Sequence, residues 1–221
     1  MVADVRLRVN TPTSCRPRDH LSPGATCRAD SENSVQSSRI HPHIAQSGQA
    51  ILIVIDMQEP FLRAIYERER VVANVSRLIR GAKVLRVPAI STVQNQKAMG
   101  DVIPELRPLL SSPPLDKMTF SCYADRRFVT EVGRSGRRQA ILCGVESHIC
   151  VCQTALAMID AGFQVQVCAD AVSSRTAENW QVGIDKVKQA GGLATATESV
   201  LYEMLQEAGT ADFRGILQIV K

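Results

Sequence analysis

The chain has 221 residues, a formal charge of +4 and 45% hydrophobic residues, which suits one generous α/β domain. Its basic residues are scattered and aromatic residues make up only 4%, so no stacking platform for nucleic acid is visible, and no apolar run approaches the roughly 20 residues that span a bilayer. The seven cysteines are odd in number, and Cys143 and Cys168 sit inside apolar strand patterns, which points to buried thiols in a reducing, cytoplasmic setting rather than to a disulfide framework.

Residues 1 to 48 contain no aromatic residue and no lysine and are rich in Ser, Pro and Arg. Such a stretch lacks the apolar content for a core and is expected to be a disordered extension, ahead of a domain spanning 49–221. Its Arg and Ser content also fits an organelle import segment, although Asp4, Asp19, Asp30 and Glu32 run against that composition.

From residue 50 strands and helices alternate. Ile51-Leu52-Ile53-Val54-Ile55 reads as a fully buried strand, and Val71, Val72, Val75, Leu78, Ile79, Ala82 and Leu85 give a helix over 67–86. A strand at 88–93 and a Pro- and Ser-rich loop to about residue 116 follow. The spacing then predicts a helix at 125–133, strand 139–145, helix 149–161, strand 163–169, helix 176–190, strand 192–197 and helix 198–208. Strand, helix, strand repeats imply a mostly parallel sheet with right-handed crossovers, hence a three-layer α/β/α fold.

Three strand ends carry chemistry, and in open α/β sheets that edge is where ligands bind. Asp56 follows the first strand and suits a general acid or base, or the N-cap of a following turn. Lys117 follows the Pro113-Pro114 break and either holds nearby anions or is a solvated amine. Cys150 opens the helix at 149–161, where unpaired amides and the helix dipole should lower its pKa from about 8.5, although a small buried apolar thiol would look the same in sequence. Cys152 points to another face, so the pair is poor evidence for disulfide chemistry, and His148 is too close in sequence to Cys150 for a papain-type arrangement. The chain also lacks a Gly-x-Gly-x-x-Gly after the first strand, a phosphate-binding Gly-x-x-x-x-Gly-Lys-Ser/Thr and a Cys-x-x-Cys pair.

Ile55-Asp56-Met57-Gln58, Lys117 with Phe120-Ser121, and Gly144-Val145-Glu146-Ser147-His148-Ile149-Cys150-Val151 together resemble the isochorismatase-like cysteine hydrolases. The similarity runs from about residue 50 to the C-terminus. Ala169-Asp170-Ala171-Val172-Ser173-Ser174-Arg175 and Thr197-Glu198-Ser199-Val200-Leu201 resemble the isochorismatase domain-containing branch. The resemblance implies an Asp56, Lys117 and Cys150 triad, a covalent thioester intermediate, a non-proline cis peptide at Val145-Glu146, and oxyanion contacts around Val145, Glu146 and Ile149. Gln58, Phe61, Gln94, Phe120 and His148 are the expected pocket residues. Family members are commonly homo-oligomers, and Phe213, Ile216, Leu217 and Ile219 are candidates for that contact.

Nicotinamidases of the superfamily carry an Asp and histidines after the second strand to hold a metal, whereas this chain reads Ser91-Thr92-Val93-Gln94-Asn95-Gln96-Lys97. The expectation is therefore a hydrolase with neither metal nor cofactor, acting on a small amide-like or related C–N or C–O substrate. The alternative is a binding or scaffold protein that keeps the fold without turnover, a choice on which fold alone is silent.

Overall fold

The computed structural model describes residues 40–221, so most of the expected N-terminal extension, and the import segment suggested for it, lie outside the described residues. Six strands form one sheet: β1 (Ala50–Ile55), β2 (Ala89–Gln94), β3 (Leu115–Lys117), β4 (Gln139–Val145), β5 (Gln164–Ser173) and β6 (Leu193–Thr195). Their order is β3-β2-β1-β4-β5-β6 and every adjacent pair is parallel. Two short helices, α1 (Glu59–Leu62) and α3 (Gln96–Met99), flank α2 (Arg68–Val84), and α4 (Arg126–Ser135), α5 (Cys152–Asp160), α6 (Ala177–Gln189), α7 (Thr197–Leu205) and α8 (Ala211–Val220) follow.

The period-2 geometry of β1 divides its uniformly apolar sequence between two cores. Leu52 and Val54 pack with Val75 and Leu78 of α2, Leu201 of α7 and Ile216 of α8. Ile51, Ile53 and Ile55 pack on the other face with Phe128 of α4, Met158 of α5 and Val187 of α6. Each fully buried aliphatic side chain there contributes about 1.5–3 kcal/mol of transfer free energy, which makes β1 the spine of the domain. Helix starts are fixed locally: Asp125 accepts from the Arg127 amide at 2.8 Å, and Thr210 accepts from the Phe213 amide at 3.0 Å.

Two expectations need correction. Residues 43–48 do not belong to an unpacked extension. Ala45 is fully buried, and the Gln139 side-chain amide donates to the Ile44 carbonyl at 3.0 Å while its oxygen accepts from the Gln46 amide at 2.7 Å. The compact unit therefore begins at Ile40, not at residue 49. The C-terminal apolar residues form α8, a helix that the periodicity reading missed. Its Ile216 is fully buried in the domain's own core and offers no face to a second subunit, while Phe213, Leu217 and Ile219 are half-buried.

The strand order reverses its winding between β1 and β4, so the loops after these strands diverge and leave a crevice beyond their C-terminal ends.

Candidate active site

Asp56 enters this crevice directly from β1 with φ of 52°, a left-handed conformation that Asp tolerates better than most residues. Beside it β4 comes so close that a Cβ on Gly144 would lie 2.0 Å from the Ile55 carbonyl oxygen, and Gly144 itself has φ of 111°. Glycine is the one residue that fits both demands. The Val145–Glu146 peptide bond is cis, and Ser147–Val151 then forms a π-helical turn that runs into α5. Gly183 of α6 permits that turn's position, because a Cβ there would lie 2.5 Å from the Ser147 carbonyl.

Lys117, at the end of β3, reaches the same point and is 1% exposed, like Asp56. Its ammonium donates to Asp56 Oδ2 at 2.7 Å, to Gln94 Oε1 at 2.7 Å and to the Thr119 carbonyl at 3.2 Å, and lies 3.9 Å from Cys150 Sγ. A buried lysine normally loses charge through desolvation. Burial does oppose the charge here, but Asp56, together with the Cys122 and Cys150 sulfurs, outweighs it and holds the amine above its usual range. The structure thus brings Asp56, Lys117 and Cys150 together across residues 56 to 150.

The thiol does not behave as its place near a helix start suggested. Burial, followed by the charge of Asp56, pushes Cys150 well above the ordinary thiol range, and Lys117 offsets this only in part. Cys150 is also the fourth residue of the π-turn, behind the first amides of the helical segment. At rest it is a protonated thiol beside a carboxylate and an ammonium.

A narrow cleft of about 50 Å³ leads to this cluster, lined by Asp56, Phe61, Gln94, Phe120, Val145, Glu146, Ile149 and Cys150. Gln94 lines the cleft with its amide already committed, Oε1 to Lys117 and Nε2 to the Met118 carbonyl at 2.9 Å. Three of the expected roles change. Gln58 is fully buried behind the wall, where its side chain accepts from the Gln94 amide at 2.7 Å and donates to the Gly100 carbonyl at 2.8 Å. His148 turns away, with Nδ1 2.9 Å from Ser174 Oγ and 4.0 Å from Glu146 Oε2. The Ile149 amide donates to the Glu146 carbonyl at 3.1 Å and is not free for an oxyanion, although the Ile149 side chain lines the cleft.

Sequence reasoning missed two neighbours of Asp56. The Thr92 hydroxyl donates to Asp56 Oδ1 at 2.8 Å, and Cys122 Sγ lies 3.7 Å from that hydroxyl. Thr92 pairs with Ile55 in the β1–β2 register, so a polar residue in the middle of a buried strand, opposite the last residue before the carboxylate, was the available signal. Among the described residues no group of three His, Cys, Asp or Glu side chains is arranged to hold a metal ion.

The isochorismatase domain model matches residues 50–199, the span that carries β1 to the start of α7 and all three candidate residues. The chain belongs to the isochorismatase family. Within this family it is similar to isochorismatase domain-containing protein 2 of Danio rerio, with 32% identity over 77% of this chain and 86% of the relative. Among solved structures, the MAR1 ribonuclease of Caenorhabditis elegans superposes with a TM-score of 0.75 at 29% identity, covering 80% of this chain and 91% of that one. The octameric Escherichia coli YcaC hydrolase of unknown specificity superposes with a TM-score of 0.76 at 24% identity, covering 82% and 91%, which speaks for the shared isochorismatase-family fold.

Proposed function

We propose that this isochorismatase-family protein is a cysteine hydrolase that cleaves a small, uncharged amide-like substrate through Asp56, Lys117 and Cys150, without a metal. The observation that carries the reading is the Lys117 ammonium, buried between Asp56 Oδ2 at 2.7 Å and Cys150 Sγ at 3.9 Å, two residues that line the cleft. A structural role alone does not call for burying an ion pair beside a thiol, since such pairs cost several kcal/mol per ion in desolvation.

Because the resting thiol is protonated, attack and proton transfer go together. Asp56 takes the Cys150 proton as sulfur bonds to the substrate carbonyl carbon, and Lys117 stabilises the thiolate character that develops. Collapse of the tetrahedral adduct breaks the C–N bond, with Asp56 returning the proton to the leaving nitrogen. Water, activated by the same carboxylate, then attacks the thioester and releases the carboxylic acid and the thiol. The apolar walls Phe61, Phe120, Val145 and Ile149 favour a neutral small molecule over a polyanion such as RNA, and the pairing of Glu146 with Arg175 at 3.1 Å leaves no free carboxylate there to select a cation. The octameric relative supports an oligomeric assembly for this chain too.

The test is intact-mass spectrometry during incubation with a panel of small primary amides, alongside ammonia release. The expected result is an acyl adduct on Cys150 and ammonia, both lost in Cys150→Ser. Absence of both across the panel, together with Cys150 alkylation by iodoacetamide that Asp56→Asn leaves unchanged, would favour the scaffold reading.

A further inference from the structure

Nothing in the scheme above uses the Asp56 oxygen that faces away from Lys117. Thr92 and Asp56 are each 1% exposed and Cys122 is fully buried, so the chain Asp56 Oδ1, Thr92 Oγ1 and Cys122 Sγ, at 2.8 and 3.7 Å, meets solvent only where Asp56 lines the cleft. We propose that Thr92 is a positioning residue for the hydrolysis, its hydroxyl a reversible hydrogen-bond relay between Asp56 and Cys122 that serves Asp56 both as carboxylate and as acid. The inference rests on the reading of Asp56 as the general base.

At rest the ionised Asp56 needs donors, and it has two: Lys117 at Oδ2 and Thr92 at Oδ1. Once Asp56 has taken the Cys150 proton it carries an acid O–H; with Oδ2 kept as the oxygen that accepts from the Lys117 ammonium, that O–H lies at Oδ1, and its needs change. An ammonium has donors only, whereas a hydroxyl can also accept. Thr92 is therefore the hydrogen-bonded side chain that can turn from donor to acceptor. Its own hydrogen then needs an acceptor, and Cys122 Sγ supplies a weak one. When Asp56 returns to the carboxylate, Thr92 turns back and the Cys122 S–H donates to it.

The reversal needs only rotation of a hydroxyl and a thiol, with no heavy-atom bond made or broken and no charge moved. Cys122 keeps its own proton throughout, since burial, partly countered by Lys117, pushes its thiol up to about 11. The relay is fixed at both ends. The Thr92 carbonyl accepts from the Asp56 amide at 3.1 Å, and the Cys122 amide donates to Thr154 Oγ1 at 2.9 Å. Thr154 lies one turn beyond Cys150 on the same helical segment, so nucleophile and relay share one support. The ionisable groups facing Asp56 are Lys117 from β3, Cys150 from the π-turn and Cys122 from the 3-10 turn at Cys122–Ala124.

The experiment needs no substrate. The rate of Cys150 alkylation by iodoacetamide is followed from pH 5 to 9 in the full chain and in Thr92→Val, Thr92→Ser, Cys122→Ala and Asp56→Asn, with adducts located by peptide mass spectrometry. Thr92→Val should slow labelling at pH 7 about tenfold, the usual scale for removing a donor from a buried ionised acceptor. Thr92→Ser should restore the wild-type profile to within about twofold, and Cys122→Ala should slow labelling about two- to threefold. A wild-type rate in Thr92→Val while Asp56→Asn slows labelling overturns the relay and leaves the base intact. Thr92→Ser as slow as Thr92→Val also overturns it, since packing rather than the hydroxyl is then at work. If Thr92→Val does not fold, Cys122→Ala decides: an unchanged profile overturns the relay. A wild-type rate in Asp56→Asn removes the base, and the relay with it.

Discussion

The two ends of the central sheet bury polar groups in opposite styles. At the N-terminal ends of the strands, Gln139 and Gln166 hold the segment before β1 with neutral amides: Gln139 bonds Ile44, Gln46 and Gln164, and Gln166 Nε2 donates to the His43 carbonyl at 2.9 Å. At the C-terminal ends, Asp56 and Lys117 bury full charges at 2.7 Å and add a thiol at 3.9 Å. A neutral amide can give and accept in the same place, so a network of glutamines closes on itself and only staples. A carboxylate and an ammonium satisfy each other only while both are ionised, so any proton that enters forces a rearrangement. That difference separates an end that holds the fold from the end where we propose a proton moves.

Removing one charge from the reactive end should be the most disruptive change. Lys117→Met keeps much of the length and apolar volume but leaves Asp56 without its cation, and breaking a buried pair in this way costs about 3–5 kcal/mol. Urea unfolding should show that loss together with slowed Cys150 labelling. A variant that is as stable and as reactive as the parent would make the pair ornamental.

At the stapled end the effect should be smaller and confined to stability. A chain beginning at Gln49 loses the bonds made by residues 43–47 and the burial of Ala45, whereas one beginning at Ile40 keeps them. The shorter chain should be less stable by about 2–3 kcal/mol, with iodoacetamide labelling of Cys150 unchanged. Equal melting temperatures for the two truncations would mean the staple contributes nothing, and a change in labelling would mean the two ends are coupled.

Most of the fold was legible because its strands are continuous apolar runs and its long helices keep the 3.6-residue period; β1 and α2 are seen within two residues of where the pattern sets them. The staple was not legible, since His41 to Gly48 looks like linker by composition and packs because Gln139, Gln166, Arg137 and Glu203, all remote in sequence, capture its backbone groups. The candidate site was legible in Asp56 and Cys150, which come after apolar runs, and in Lys117 by its motif, although β3 itself was read as loop. Its protonation was not. Helix position argued for a thiolate, while burial and a carboxylate that arrives from residue 56 decide for the thiol. Likewise His148 and Gln58 sit in the right motifs, but the direction of a side chain after a cis bond or behind a strand is a tertiary property that spacing does not encode.

The same protonation gives the smallest and most specific effect. A thiol whose folded pKa lies above its unfolded value is still protonated in the native state when the unfolded chain has begun to ionise. The unfolded state then binds fewer protons, so stability falls as pH rises past the unfolded thiol value of about 8.5. For Cys150 alone the loss between pH 7 and 9 is about 0.8 kcal/mol, taking the native thiol as un-ionised over that window. Cys150→Ser, whose hydroxyl does not titrate there, should therefore lose about that much less stability than the parent over the same interval, a difference that paired denaturant curves at pH 7 and pH 9 resolve. Parallel losses in the two proteins would mean that Cys150 ionises as readily folded as unfolded, and the reactive end would then start from a thiolate instead of making one during attack.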